Sequence, residues 1–359
     1  MNIKKLSLLF ISVFVFILVS AGCQNSSGTK EAAKEETTES TTKEAESTTK
    51  DSDKAEKTDK LVLYAAGPDN MVESMVKEFE EKQGVKVEVF SGTTGEILGR
   101  LEAEKNNPKA DIVQVASLPA AIDYKQKDLI MPYKVKNHDK LYKDWIDAEG
   151  YYYGFSGSAL GISYNTKEVK TAPKDWSDLT KPEFKDKIAI PDPSQSGTAI
   201  DLLSINVKNN GDKAWNLYKQ LKENGIKMAG ANKPALETVI KGQNAAVFGG
   251  VDYMVYAAKK KGEPVDIAFP ESGTAISPRP AFILKSAKNV ENAKAYMEYV
   301  TGADGQKQVD SFFLMPADKS FAKNKDGVKR EDVKELKYDW ENLSKESETV
   351  LKKYMDMMR

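Results

Sequence analysis

Apolar residues come in short bursts along most of this chain, and their spacing separates strands from helices. Leu61-Val62-Leu63-Tyr64-Ala65 is an apolar run closed by Gly67-Pro68-Asp69, the signature of a buried strand. Met71, Met75, Val76 and Phe79 then recur at spacings of three and four, which predicts a helix that stops at Gly84. Val85 to Phe90 alternates as a strand does. Ile97, Leu98 and Leu101 mark a second helical face, and Ala110 to Val115 a third strand. The opening therefore reads β-α-β-α-β, the pattern of a mostly parallel sheet covered by helices.

Tyr151 to Tyr164 is strand-rich and carries Gly154, Gly157 and Gly161, as expected of a long segment crossing between two lobes. A second α/β series follows. Strands are predicted at 187–190, 245–248, 265–269 and 281–284, and helices at 197–209, 214–222, 234–241 and 292–302. The tail from Glu331 to Met358 reads as helical and charged.

The N-terminal sixty residues have a different texture. Lys4 and Lys5 precede an apolar run from Leu6 to Ala21, too short for a spanning helix and patterned like a signal peptide. It ends in Val19-Ser20-Ala21-Gly22-Cys23, which resembles a bacterial lipobox. That resemblance implies removal of residues 1–22 and lipidation of Cys23. Two acyl chains satisfy the requirement for stable anchoring. Gln24 to Lys60 is Glu, Lys, Thr, Ser and Asp with only four alanines, a composition that cannot offset its ordering entropy. Residues 23–60 are thus expected to tether a body that begins at Leu61.

Composition narrows the function. The 359 residues hold 53 Lys+Arg against 54 Asp+Glu, so nothing suggests a nucleic-acid partner. One Cys and one His exclude an internal disulfide, a Cys-rich zinc site and a multi-His metal cage. His138, in a polar Lys-rich stretch, is expected at the surface. The four tryptophans receive no placement.

The first strand, the helix ending in Gly84-Val85-Lys86-Val87, the Ser91-Gly92-Thr93-Thr94 loop, Lys109-Ala110-Asp111-Ile112 and Ile283-Leu284-Lys285-Ser286-Ala287-Lys288-Asn289 together resemble bacterial extracellular solute-binding proteins of ABC importers. The branch resembled holds ferric-iron, thiamine, aminoethylphosphonate and hexose-phosphate binders. The resemblance implies an α/β, two-lobed type II periplasmic-binding-protein-like fold with a ligand cleft between lobes. Lobe 1 is expected from residues 61–157 and 270–320, lobe 2 from 158–269, and a helical segment from 321–359. It also implies binding rather than catalysis, no cofactor, a membrane permease as partner, and a monomer.

The candidate site is a set of loops at helix starts, where backbone N–H groups and the helix dipole favour anions. Ser91, Gly92, Thr93 and Thr94 precede one helix, with Thr93 and Glu96 spaced as a capping box. Ser194, Ser196, Gly197 and Thr198 precede another. One loop from each lobe is expected to clamp an anion. Asp252 and Tyr253 fall where the resembled ferric-binding proteins carry adjacent tyrosines, while their His and Glu positions fall near Pro68 and Ala116. Asp252 is expected to accept a ligand ammonium, with Tyr253 and Tyr64 as walls and Ser117 lining the pocket. The metal alternative uses Tyr253 and Tyr256. Ser156-Gly157-Ser158 and Arg279, between Pro278 and Pro280, are weaker cleft candidates. A phosphonate or phosphate ester, 2-aminoethylphosphonate foremost, is the expected ligand, followed by ferric ion and thiamine.

Overall fold

A computed structural model describes residues 60–359. The signal, lipidation and tether expectations, including Cys23, lie outside the described residues. The chain opens with strand β1 (Lys60–Ala65), helix α1 (Asp69–Gln83), β2 (Lys86–Ser91), α2 (Thr94–Ala103), β3 (Ile112–Gln114), α3 (Leu118–Gln126) and β4 (Ile130–Met131). It continues through β5 (Tyr153–Asn165), β6 (Ile188–Ile190), α4 (Gly197–Asn210), α5 (Asp212–Glu223), β7 (Lys227–Met228), α6 (Asn232–Ile240), β8 (Ala246–Val251) and α7 (Asp252–Lys260). It closes with β9 (Val265–Ala268), β10 (Ile276–Leu284), α8 (Val290–Thr301), α9 (Ala303–Ser311), β11 (Met315–Pro316) and α10 (Trp340–Met358).

The spacing of apolar residues explains the first elements. Met71, Val72, Met75, Val76 and Phe79 form the buried stripe of α1. Gly84 then takes φ 66°, a left-handed conformation open to glycine, and its N–H caps the Glu80 carbonyl. Two parallel sheet halves result. In the first lobe the order is β2-β1-β3, with β10 antiparallel beside β3; in the second it is β7-β6-β8. The halves join through β5, which pairs antiparallel with β10 along Tyr153–Ala159 and with β8 along Leu160–Tyr164. At thirteen residues, β5 spans roughly 40 Å, enough to serve both lobes. The fold is thus α/β and two-lobed, as the pattern of elements predicts.

The structure adds β4, β7, α9 and β11 to the elements read from the sequence, and differs from that reading in three further ways. Helix α3 is absent from that reading; its Pro119 occupies the first turn, where a missing N–H costs nothing. The tail is not helical from Glu331. Residues 334–336 instead lie along the crossover before β10: Thr274 donates to the Lys334 carbonyl and Leu336 donates to the Thr274 carbonyl, both at 2.9 Å. The helix starts only at Trp340, behind the Asp339 cap. His138 is buried, not superficial. Its Nδ1 lies 3.3 Å from the Tyr153 hydroxyl, and burial, foremost, lowers its pKa. The tryptophans are all buried in the core. Among the described residues no helix is long and apolar enough to cross a membrane.

Candidate functional site

Where β5 and β10 run side by side between the lobes, Ser158 faces Ser277 and Ser156 faces Arg279. Directly opposed antiparallel residues share a face, so four polar side chains form one floor. All are buried, at no more than 3% exposure. The other face is sealed: a Cβ on Gly157 would lie 2.4 Å from the Trp145 indole. A bulge follows Arg279, and prolines flank it. Such irregularities re-aim a strand side chain.

Arg279 is the unusual member. One terminal nitrogen donates to the Ala66 carbonyl of the first lobe and the other to the Tyr253 hydroxyl of the second, each at 3.1 Å. Its Nε has no partner, nor do the hydroxyls of Ser156 and Ser158. Among the described residues no carboxylate comes within ion-pairing distance of Arg279. A guanidinium withdrawn from water without a direct ion pair costs several kcal/mol, roughly, and Arg279 feels the charge of the buried Asp252 without bonding it.

Asp252, at the start of α7, has both oxygens engaged by backbone, from Ala159 N–H at 3.0 Å and Tyr253 N–H at 2.7 Å. It is fully buried. Burial pushes its pKa up to about 7, against the pull of those N–H groups and of Arg279. It splices α7 to the hinge strand, so each of its oxygens already accepts one backbone bond. Tyr64 is likewise committed elsewhere. Its hydroxyl donates to Glu104 at 2.7 Å, and burial first, Glu104 second, raise its pKa to about 12. Glu104 follows the last residue of α2, roughly 15 Å from the helix start that meets the cleft. Tyr64 therefore forms no cleft wall. Tyr256 packs against Phe313, ring centres 6.2 Å apart, while Tyr253 points to Arg279. The two phenols serve different neighbours.

The two loops predicted as an anion clamp do come together, but on each other. Gly95 donates to the Gln195 carbonyl at 3.2 Å, and Ala116 donates to the Thr94 hydroxyl at 3.1 Å. Each loop also carries its own acid. Glu96 completes the Thr93 capping box by accepting from Thr93 N–H at 2.7 Å. Asp192 accepts from the Ser194 N–H and hydroxyl at 2.8 and 2.6 Å. Ser196 caps α4 and, with Thr198, bonds Asn232. Ser91 and Gly92 end β2 beside Ala65, with Gly92 donating to its carbonyl. Glu96 compensates the start of α2, Ser196 caps α4, and Arg279 is the cation of the site without an ion pair.

Ser117 donates to Asp201 Oδ1 at 2.7 Å, and Ser277 to Oδ2 at 2.5 Å. Asp201, on α4, was missed in the sequence. The signal was one acid between Ile200 and Leu202-Leu203, on a helix whose neighbouring positions are apolar. Burial raises its pKa to about 7, the two hydroxyls opposing. An acid raised in the folded state stabilises below its unfolded pKa of about 4, and that contribution is lost as pH rises through about 7. Asp201→Asn keeps the shape and can still bond both hydroxyls. Urea unfolding should show the variant gaining about 2–3 kcal/mol over the parent between pH 5 and pH 8. A pH-independent difference would place the ionisation elsewhere.

Residues 107–346 match the pattern of a family described as bacterial extracellular solute-binding protein. The chain belongs to that family. A Haemophilus influenzae protein of no stated activity is 30% identical over 272 residues, covering 71% of this chain and 78% of its own. The Fe(3+)-binding periplasmic protein of Serratia marcescens is 25% identical, covering 68% and 75%. A putative 2-aminoethylphosphonate-binding periplasmic protein of Salmonella typhimurium is 24% identical, covering 64% and 69%. Among solved structures, the periplasmic binding protein AfuA from Actinobacillus pleuropneumoniae, with fructose-6-phosphate bound, superposes with TM-score 0.78 at 26% identity, covering 83% and 98%. This solute-binding protein is the capture component of an ABC importer and not an enzyme.

Proposed function

We propose that this protein is a lipid-anchored receptor that captures a small anionic solute, a phosphonate or phosphate ester, in its interlobe cleft and presents it to the importer's permease. One observation carries the reading: Arg279 is buried between the lobes, touches both, and bonds no carboxylate. Ser156 and Ser158 beside it hold unspent hydroxyls, the donors an oxyanion requires. A ligand bonded there from both lobes stabilises the closed arrangement by contacts the open one lacks. Relatives named for aminoethylphosphonate and a neighbour holding a sugar phosphate support the same ligand class; within it, 2-aminoethylphosphonate is the first candidate. Cys23, through its lipobox-like setting, supplies the anchor on the outer face of the membrane.

Ferric ion is the second reading, on the strength of the iron-binding relatives. The guanidinium bonded to the Tyr253 phenol opposes it, because a cation occupies the position a trivalent metal would take. Thermal-shift measurements with 2-aminoethylphosphonate, inorganic phosphate, sugar phosphates, thiamine and ferric citrate separate the cases. A bound ligand raises the unfolding midpoint with the logarithm of its concentration. The midpoint is expected to rise with a phosphonate or phosphate ester. A rise with ferric citrate alone, with a coloured protein, would replace this reading by the iron one.

A further inference from the structure

We propose that the closed arrangement is held by a latch that makes no use of ligand: Asp201 bridges Ser117 and Ser277, and helix α10 straps α3 to α4 outside it. Three observations converge. First, Asp201 rides on α4 in the second lobe, Ser117 leads into α3 in the first, and Ser277 lies on the crossover. One buried carboxylate thus ties both lobes to the hinge. Second, α10 packs against α3 and α4 alike. Ser344 near its start donates to the Pro119 carbonyl of the first lobe at 3.1 Å. Farther along, Glu346 pairs with Lys208 at 2.6 Å, Tyr354 packs edge-on to Tyr218 at 5.3 Å, and Lys222 donates to the Met357 carbonyl. Third, the segment leading into α10 is pinned at the hinge, where the Tyr338 hydroxyl donates to the Ile276 carbonyl at 2.8 Å.

The distribution of these bonds says what moves. The last turns of α10 are fixed to the second lobe by Tyr354 and the Lys222–Met357 bond, and its second turn by Glu346–Lys208, while its first turns bury Trp340 and Leu343 and bond α3 through Ser344. Separation of the lobes therefore breaks Ser117–Asp201 and pulls α10 away from one of the two helices it straps. Affinity for any solute is then set partly by residues that never touch it, because the binding-competent population scales the apparent dissociation constant. The latch rests on the two-lobed fold, not on the choice of ligand, and its test needs none.

Spin labels at Lys77→Cys on α1 and Lys219→Cys on α5, both exposed, in the full chain carrying Cys23→Ser, report the interlobe distance by electron–electron resonance. Without added ligand, the parent is expected to show a dominant short distance. Ser117→Ala should lower the ratio of closed to open forms about tenfold, as expected for a lost hydrogen bond to a buried carboxylate. The unfolding midpoint should move little. Truncation after Tyr338 should widen the distribution further; circular dichroism checks its folding, and Ser117→Ala decides alone if that variant fails to fold. A parent that is open without ligand, or a Ser117→Ala distribution identical to the parent's, overturns the latch. A weaker response to 2-aminoethylphosphonate with unchanged distances would make Ser117 a ligand contact instead.

Discussion

Arg279→Gln should weaken phosphonate or phosphate-ester binding by at least about thirtyfold while leaving the unliganded protein as stable as before, or more so. The two signs come from one cause. In the ligand-free site the guanidinium is buried without a direct ion pair, and its Nε has no partner. Burying it costs stability that two neutral hydrogen bonds, to Ala66 and Tyr253, offset only in part. A neutral side chain removes that cost. With an anion bound, the same charge becomes the positive half of a desolvated pair, and truncating one member of such a pair costs about 2–5 kcal/mol. Arg279→Lys retains the charge but loses the planar fork, so it should recover part of the affinity. Calorimetric titration with the ligand found by thermal shift, alongside urea unfolding, reads both quantities. An Arg279→Gln protein that binds normally would remove the anion from the floor of the cleft. One that simply unfolds would make Arg279 structural.

The second large effect comes from two glycines where the lobes meet. A Cβ at Gly197 would lie 2.5 Å from the Ala116 carbonyl oxygen across the cleft, and one at Gly95 would lie 2.5 Å from the Ser194 carbonyl oxygen. Both contacts are to backbone, which cannot rotate aside, and both exist only when the lobes are together. Neither glycine has a positive φ. Inside its own lobe each position therefore tolerates a side chain, and Gly95→Ala even gains helix propensity of about 1 kcal/mol. Gly95→Ala with Gly197→Val should act as a wedge. Affinity should fall by about ten- to a hundredfold, the cost of overpacking a closed interface, with little change in secondary structure. X-ray scattering should show a larger radius of gyration at saturating ligand. Unchanged affinity and unchanged scattering would mean that the lobes do not close on the ligand.

These residues also mark the boundary between what sequence and structure each decide. Strands and helices of both lobes were legible because periodicity is a local property: the stripe of α1, the alternation of β2 and the Gly84 stop each need only their own neighbours. The two Ser/Gly/Thr loops were legible as helix starts for the same reason, since Thr93 finds Glu96 three residues away. Their role was not legible. Whether a helix start is free for an anion depends also on what lies across the cleft, and Gln195 and Ala116 reach the first loop through space. Asp252 could be placed at a helix start but not shown to be already bonded to Ala159, ninety-three residues earlier.

Arg279 illustrates the division best. A lone charge in the apolar run from Ile276 to Leu284 was visible, but a surface Arg and a cleft Arg look alike until the strand is placed between two others. His138 failed in the opposite sense: polar neighbours in sequence suggested solvent, while Tyr153 and the core enclosed it in space. The sequence by itself determined the class of fold, the order of its elements and, through the lone Cys23, the expectation of an anchor. Only the tertiary structure decided which charges are paired. Pairing is a matter of distance through space in a medium of low dielectric, and no spacing along the chain encodes it.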